Sequence, residues 1–303
     1  MMRTALGCLV LAATMTAAAP CRADLVKDML GRAVALPAPP QRIVSLVPSV
    51  TEVIYALGAE DRLAGVTDYC DWPPAARRKP RVGSMVTPSL EALVALKPDL
   101  VVATDEGNRH ETIQQIQRLG IPLYLVHVDR VAGALDMIAR LGQLTERQMA
   151  AAPLQASIER RMAAVREAVR PFHVRRVLYV LWPDPLLVPG RDSLITELIT
   201  LAGGENITAG EPDSYPRFSL EAAVARAPEV IILADHGSGE GSGAGRPAPE
   251  KWQRLTSVPA VRAGRLHSAD LSILHRYGPR MADGLELLAR MIHPEAFPRE
   301  PAR

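Results

Sequence analysis

Residues 145–171 run TERQMAAAPLQASIERRMAAVREAVRP, with the periodicity of one long helix. Ile158, Met162, Val165 and Val169 recur at helical spacing, while Glu159, Arg160, Arg161, Arg166, Glu167 and Arg170 fill the other faces until Pro171 stops the run. Thr145 and Gln148 have the form of a capping box, which satisfies orphan N–H groups at a helix start. The pattern predicts one helix over 146–170, about 35 Å long at about 1.5 Å per residue. Pro153 is the candidate kink, leaving the helix straight from Leu154 onward. A shorter amphipathic piece over 131–141 precedes it. Taken alone this is also how an ordinary surface helix reads; the flanking sequence makes it a bridge.

On its N-terminal side the β-branched run Ile43-Val44-Ser45-Leu46-Val47 suits a buried strand. Ser49-Val50-Thr51-Glu52 is a second capping-box pattern, opening a helix that ends at Gly58. Strands over 63–66, 100–103 and 123–128 alternate with helices starting at Pro88-Ser89 and over 112–119, and a short strand is expected near Val34. On the C-terminal side strands are expected over 177–181, 186–188 and 265–269. Helices are expected over 193–201, 251–255, 259–263 and 279–292, the last with Met281, Leu285 and Leu288 inward. Alternating strands and helices imply α/β architecture with mainly parallel sheets. The segment Ser89-Leu90-Glu91 through Lys97-Pro98-Asp99 returns as Ser219-Leu220-Glu221 through Ala227-Pro228-Glu229, each step displaced by 130 residues (91 to 221, 98 to 228). Two matched units on either side of one helix follow.

The 303 residues, 48% hydrophobic and 22% charged, can bury one large core or two of about 130 residues each. A net charge of +2, with the arginines spread along the chain, gives no nucleic-acid footprint. Met1-Met2-Arg3, the apolar run over 5–19 and the small residues before Asp24 have the three-part form of a secretory signal, with cleavage expected after Ala23 and a soluble, exported product. Pro20 ahead of Cys21 argues against a lipid-modified cysteine. Cleavage leaves Cys70 as the one thiol, so no internal disulfide can form. The expected divisions are a signal over 1–23, an N-terminal lobe over 24–130, a bridging segment over 131–172 and a C-terminal lobe over 173–303.

Motifs for chemistry are missing. No serine has a Gly-x-Ser-x-Gly setting, and the seven histidines fall at no metal-ligand spacing. The glycine-rich stretch over 237–245 lacks the Gly-Lys-Ser/Thr ending of a phosphate cradle. No metal site and no enzymatic activity are expected. The chain is only 4% aromatic, yet Tyr69, Trp72, Trp182, Tyr215 and Tyr277 all fall in loops or at strand ends. Aromatics so placed can line a cleft and stack on a large planar ligand. His275 lies in a loop between a strand and the final helix, where α/β proteins tend to build ligand sites.

The runs over 42–52, 69–74, 90–101 and 202–207 resemble the helical-backbone periplasmic binding proteins that serve ABC importers of cobalamin, haem and iron-siderophores, the cobalamin-binding members above all. The similarity extends over about 42–292. It implies a class III periplasmic binding protein: two Rossmann-like α/β lobes joined by a single long helix, ligand held between them, and a monomer that delivers it to a permease dimer with its ATPase subunits. The matching positions for the acidic residue that docks each lobe to permease arginines are Glu91 and Glu221. Tyr69 and Trp72 match a loop that contacts the corrin, Tyr215 falls at a second-lobe tryptophan, and Arg276 at a pocket arginine. Met85, Thr104 and Leu181 stand where cobalamin-binding members carry aromatics, and Trp182 stands one residue along. The resemblance thus implies a corrinoid ligand, with Tyr69, Trp72, Met85, Trp182, Tyr215, His275, Arg276 and Tyr277 lining the cleft and His275 or Tyr277 as candidate axial ligands. Haem or a ferric siderophore on the same scaffold is the first alternative. An exported α/β enzyme with an unrecognised site, or a sensor that binds protein, are alternatives of other classes.

Overall fold

The computed structural model describes residues 24–36, 38–235 and 249–297. The expected signal over 1–23 and the glycine-rich loop lie outside them. The chain opens with an antiparallel hairpin, β1 (Asp24–Lys27) and β2 (Ala33–Leu36). The first lobe follows as β3 (Ile43–Ser45), α1 (Pro48–Ala56), β4 (Leu63–Val66), α2 (Leu90–Ala95), β5 (Leu100–Thr104), α3 (His110–Arg118) and β6 (Leu123–Val126). Helices α4 (Val131–Leu144) and α5 (Gln148–Val169) come next. The second lobe contains β7 (Arg175–Val180), a short ribbon of β8 (Trp182–Pro183) and β9 (Leu186–Leu187), α6 (Leu194–Leu201), β10 (Gly204–Asn206), α7 (Leu220–Ala225) and β11 (Val230–Asp235). It closes with α8 (Pro249–Gln253), α9 (Pro259–Arg262), β12 (Leu266–Asp270), α10 (Leu271–Leu274) and α11 (Met281–Ile292).

Each lobe has a four-stranded parallel sheet, ordered β4-β3-β5-β6 in the first and β10-β7-β11-β12 in the second. Because side chains alternate across a strand, each sheet divides its residues between two cores. In β5 and β6, Val101, Ala103, Leu123 and Leu125 face an outer cluster with α2 and α3, while Leu100, Val102, Tyr124 and Val126 face inward. In β7 and β11, Leu178, Ile231 and Leu233 face the second lobe's outer cluster, while Val177, Tyr179, Val230 and Ile232 face inward. The two inward faces share one continuous core with α1, α4, α5, α6 and α11. The lobes are therefore joined by a helical layer as well as by the long helix. Glu197 of α6 reinforces the join by accepting the Val131 N–H at the start of α4, 2.7 Å away.

The long helix is real but begins differently from its sequence pattern. Thr145 does not open α5; its hydroxyl donates to the Leu141 carbonyl, 2.6 Å away, and closes α4. Arg147 N–H reaches Gly142 O and Glu146 N–H reaches Gln143 O, with Glu146 at φ 55°. This is a Schellman ending with glutamate in the left-handed position usually given to glycine. The capping box fails because the preceding helix runs on to Leu144 and claims the threonine. Pro153 lies inside α5, where Ala151, Ile158, Met162, Val165 and Val169 form the buried stripe.

The second capping-box reading fails too. Helix α1 begins at Pro48, whose missing N–H suits the first turn, and has no side-chain cap. Glu52 is thereby freed for another partner. The repeat, by contrast, is reproduced atom for atom: Ser89 Oγ accepts the Ala92 N–H at 3.1 Å and Ser219 Oγ accepts the Ala222 N–H at 3.0 Å. Both helices end in a left-handed residue before proline, Lys97 at φ 47° and Ala227 at φ 46°. The pattern over 131–141 extends to Leu144, and β10 and α10 are elements that the sequence pattern did not announce.

Candidate functional site

In open parallel sheets ligands collect outside the carboxyl ends of the strands. Tyr69 and Trp72 lie in the loop after β4, and His127 follows β6. In the second lobe Trp182 follows β7, Tyr215 lies between β10 and α7, and His275, Arg276 and Tyr277 follow β12 and α10. Tyr69 and Trp72 are 55% and 46% exposed. Two large aromatics left this open on neighbouring positions are unusual for side chains that only cover their own core.

The second-lobe residues form a hydrogen-bonded aromatic nest. Tyr215 and Tyr277 hydroxyls are 2.9 Å apart, Tyr277 hydroxyl is 3.0 Å from His275 Nδ1, and Tyr179 hydroxyl is 3.0 Å from His275 Nε2. The His275 ring centroid lies 5.8–6.1 Å from those of the three tyrosines. Burial pushes the phenols of Tyr179 and Tyr277 well up, and that of Tyr215 up, so all three stay neutral. With both ring nitrogens engaged by hydroxyls, His275 would have to break one of these bonds to coordinate a metal. Tyr179, an interior strand residue, went unnoticed in the sequence because nothing in a β-branched run signals a polar tip at its end.

A second group surrounds Arg276 and Arg280. Arg276 donates to Tyr69 O at 3.0 Å and to Asp71 Oδ1 at 3.2 Å. Arg280 lies over the Trp72 ring, 4.9 Å from its centroid, and grips Glu52 with two bonds of 2.7 and 2.9 Å. Burial pushes the Glu52 carboxyl up, against the downward pull of Arg280 and Arg276. Burial also works against the Arg280 charge, and Glu52 more than offsets it. The two-pronged geometry at these distances favours the ionised pair. The sequence offered Glu52 only as a capping residue and gave no sign of its pairing with Arg280, because a pair separated by 228 positions leaves no local signature.

Met85 sits apart from both groups, its methyl end against Gly107 and its carbonyl accepting from Asn108 Nδ2 at 2.6 Å. Trp182 donates its ring N–H to Asp184 O at 3.0 Å, on a ribbon tied to the Tyr215 segment through Phe218 N–H to Leu186 O and Val188 N–H to Pro216 O. Glu91 and Glu221 are exposed in the first turns of α2 and α7. A shallow apolar depression of about 430 Å³ beside Glu91, lined by Leu90, Val94 and Leu119, offers few polar groups to orient a small molecule. Among the described residues no cluster of histidine, cysteine and carboxylate side chains could hold a metal ion, and no helix is long and apolar enough to cross a membrane.

His127 stands 3.0 Å from Asp105 Oδ2. Burial lowers its pKa, but the hydrogen bond and charge of Asp105, with Glu106 and Asp129 beyond, raise it on balance. A raised histidine stabilises the fold below its unfolded pKa of about 6.5, and the contribution disappears as pH rises through the folded value. His127→Gln should therefore lower the melting temperature at pH 5.5 and leave it unchanged at pH 8.5. The loss should stay below about 1 kcal/mol because both side chains are about a third exposed. An equal loss at both pH values would contradict this.

A family model described as periplasmic binding protein matches residues 43–270. The chain belongs to the periplasmic binding protein family. A vitamin B12-binding protein of Yersinia pestis (strain Pestoides F) is 32% identical to this periplasmic binding protein over 197 residues, covering 64% of this chain and 69% of the relative. The periplasmic vitamin B12 binding protein of Vibrio cholerae superposes with a TM-score of 0.72 at 27% identity, covering 86% of this chain and 99% of its own. The periplasmic heme-binding protein of Roseiflexus sp. RS-1 superposes equally well, with a TM-score of 0.73 at 27% identity over 84% and 99% of the two chains. These relatives bind; they are not enzymes, and neither is this protein. Its small molecule is a ligand rather than a cofactor.

Proposed function

We propose that the protein captures cobalamin or a related corrinoid between its lobes and delivers it to the permease of an ABC importer from the periplasm, acting as a monomer. The observation that carries the reading is the pairing of an exposed Tyr69–Trp72 wall on the first lobe with the Tyr215–His275–Tyr277 nest on the second, in a chain 32% identical to a vitamin B12-binding protein. Such walls offer flat apolar area to a macrocycle and a few hydroxyls to orient its polar edge. In this reading Tyr69, Trp72, Trp182, Tyr215, Tyr277 and Arg276 meet ligand, His275 holds Tyr277 in place, and Met85 stands apart from them. The units over 24–130 and 173–303 act as the two lobes around 131–172. Glu91 and Glu221, exposed and displaced by one repeat, present equivalent carboxylates to two equivalent permease subunits.

Haem is the second reading, favoured by the equal superposition on a heme-binding protein and by phenols in the nest. Titrating the purified protein with cyanocobalamin, cobinamide, haemin and a ferric siderophore, followed by visible spectroscopy and calorimetry, separates the two. Saturable 1:1 corrinoid binding is expected. Saturation by haemin alone would replace the first reading with the second, and no binding to any of them would remove both.

A further inference from the structure

The loop after α10 faces two ways. Its odd residues His275 and Tyr277 bond to Tyr179 and Tyr215 in their own lobe. Arg276 and Arg280 reach instead into the first lobe, and Gly278 between them packs on α1, where a Cβ would stand 3.2 Å from Ser49 O. The centre of this contact is Glu52, whose side chain is 2% exposed. One Glu52 oxygen lies 2.7 Å from Arg280 Nη2 and 4.0 Å from Arg276 Nε. Arg276 spends its other donors on Tyr69 O and Asp71, and Arg280 forms the platform beneath Trp72. Two guanidinium groups, 10% and 16% exposed, are thus held together by one buried carboxylate and one open one, Asp71.

We propose that Glu52 is a positioning residue for the ligand cleft: touching no ligand, it fixes Arg280 beneath Trp72 and, with Asp71, fixes Arg276 against Tyr69, so that one carboxylate sets the first lobe's aromatic wall against the second lobe. The role rests on the cleft being the ligand site. Its physical basis is the cost of removing one member of a buried charge set. Without the Glu52 charge, Arg276 and Arg280 repel each other, Arg276 keeping its bond to Asp71 and Arg280 its bond to the neutral Ser272 carbonyl, and the relief is to swing outward, taking the contacts to Tyr69 and Trp72 with them.

The test compares Glu52→Gln with the double variant Glu52→Gln/Arg280→Gln in the full protein. Three readouts are needed: melting temperature, backbone hydrogen exchange in the 66–72 segment against that in β5, and affinity for cyanocobalamin and haemin. Glu52→Gln should speed exchange at 66–72 about tenfold, leave β5 unchanged, and weaken ligand binding about tenfold. The double variant removes both charges and should recover the melting temperature, but with Arg280 gone it should recover neither the slow exchange nor the affinity. A merely structural role predicts that all three recover together, and that result overturns the proposal. So does Glu52→Gln with unchanged exchange and affinity, or with exchange raised equally in β5. If the wild-type protein binds neither probe, the cleft reading fails and the positioning role fails with it, while the exchange arm still reports whether Glu52 holds the loop.

Discussion

Reversing both carboxylates of the proposed docking pair, Glu91→Arg with Glu221→Arg, is expected to abolish import while leaving ligand affinity in solution unchanged. Both residues are exposed in the first turns of short helices. Opposite charges at the rim of an interface mainly steer and register the partners, each pair contributing at most about 1 kcal/mol, whereas like charges set against each other cost several. Two reversals should weaken docking by roughly a hundredfold or more, since each 1.4 kcal/mol is a factor of ten. Glu91→Gln with Glu221→Gln should give an intermediate loss. Stability provides the internal control. An acidic residue near a helix N-terminus contributes about 0.3–1 kcal/mol, so the reversals should lower the melting temperature by only a few degrees. Uptake into proteoliposomes carrying the cognate permease, beside calorimetry on the free protein, checks the separation. A matching loss of ligand affinity would contradict the docking role and return the two glutamates to being helix-start residues only.

The repeat that suggests this experiment was legible because its information is local. Serine caps, a first-turn glutamate and a left-handed residue before proline each act within one helix, so the same letters at a displacement of 130 residues give the same hydrogen bonds. The positions of the first lobe's buried strands were legible for a similar reason: buried parallel strands need β-branched runs such as those in β3 and β5. Where the sequence misled, two local programmes competed for one residue. Thr145 fits the start of α5, yet its hydroxyl bonds back to Leu141 once α4 runs its full length. Glu52 fits the third turn position of a capping box, yet a proline-led start to α1 leaves it facing Arg280. The aromatics proposed for the cleft could be picked out because they are rare and lie between elements. The atoms that orient them, on Tyr179, Glu52 and Arg280, depend on contacts up to 228 positions apart that no window of sequence contains.

Gly190 gives the second large effect, because it joins the fold to the cleft without touching either aromatic wall. It is buried after β9, its N–H donates to Ser214 O at 2.9 Å, and it lies against the backbone of 211–216. A Cβ here would overlap the Asp213 carbonyl oxygen, stand 3.0 Å from that of Glu211 and meet Pro216 Cδ at 3.1 Å. Two of these three neighbours are main chain, and main chain cannot rotate away as a side-chain end can. Gly190→Ala should therefore cost about 1–3 kcal/mol, as overpacking does, and lower the melting temperature by several degrees. The relief available is to displace the 211–216 segment, which carries Tyr215 and its 2.9 Å contact to Tyr277. Ligand affinity should consequently fall about tenfold or more, beyond anything the stability loss explains at temperatures where the variant is fully folded. Gly210→Ala is the matched control: it lies beside the same segment, and a Cβ there meets nothing within 4 Å. It should melt within a degree or two of wild type and bind normally. Should Gly190→Ala melt early yet bind as tightly as Gly210→Ala, the Tyr215 segment would not be part of the ligand wall, and the second lobe's contribution would have to come from Tyr277 and its neighbours alone.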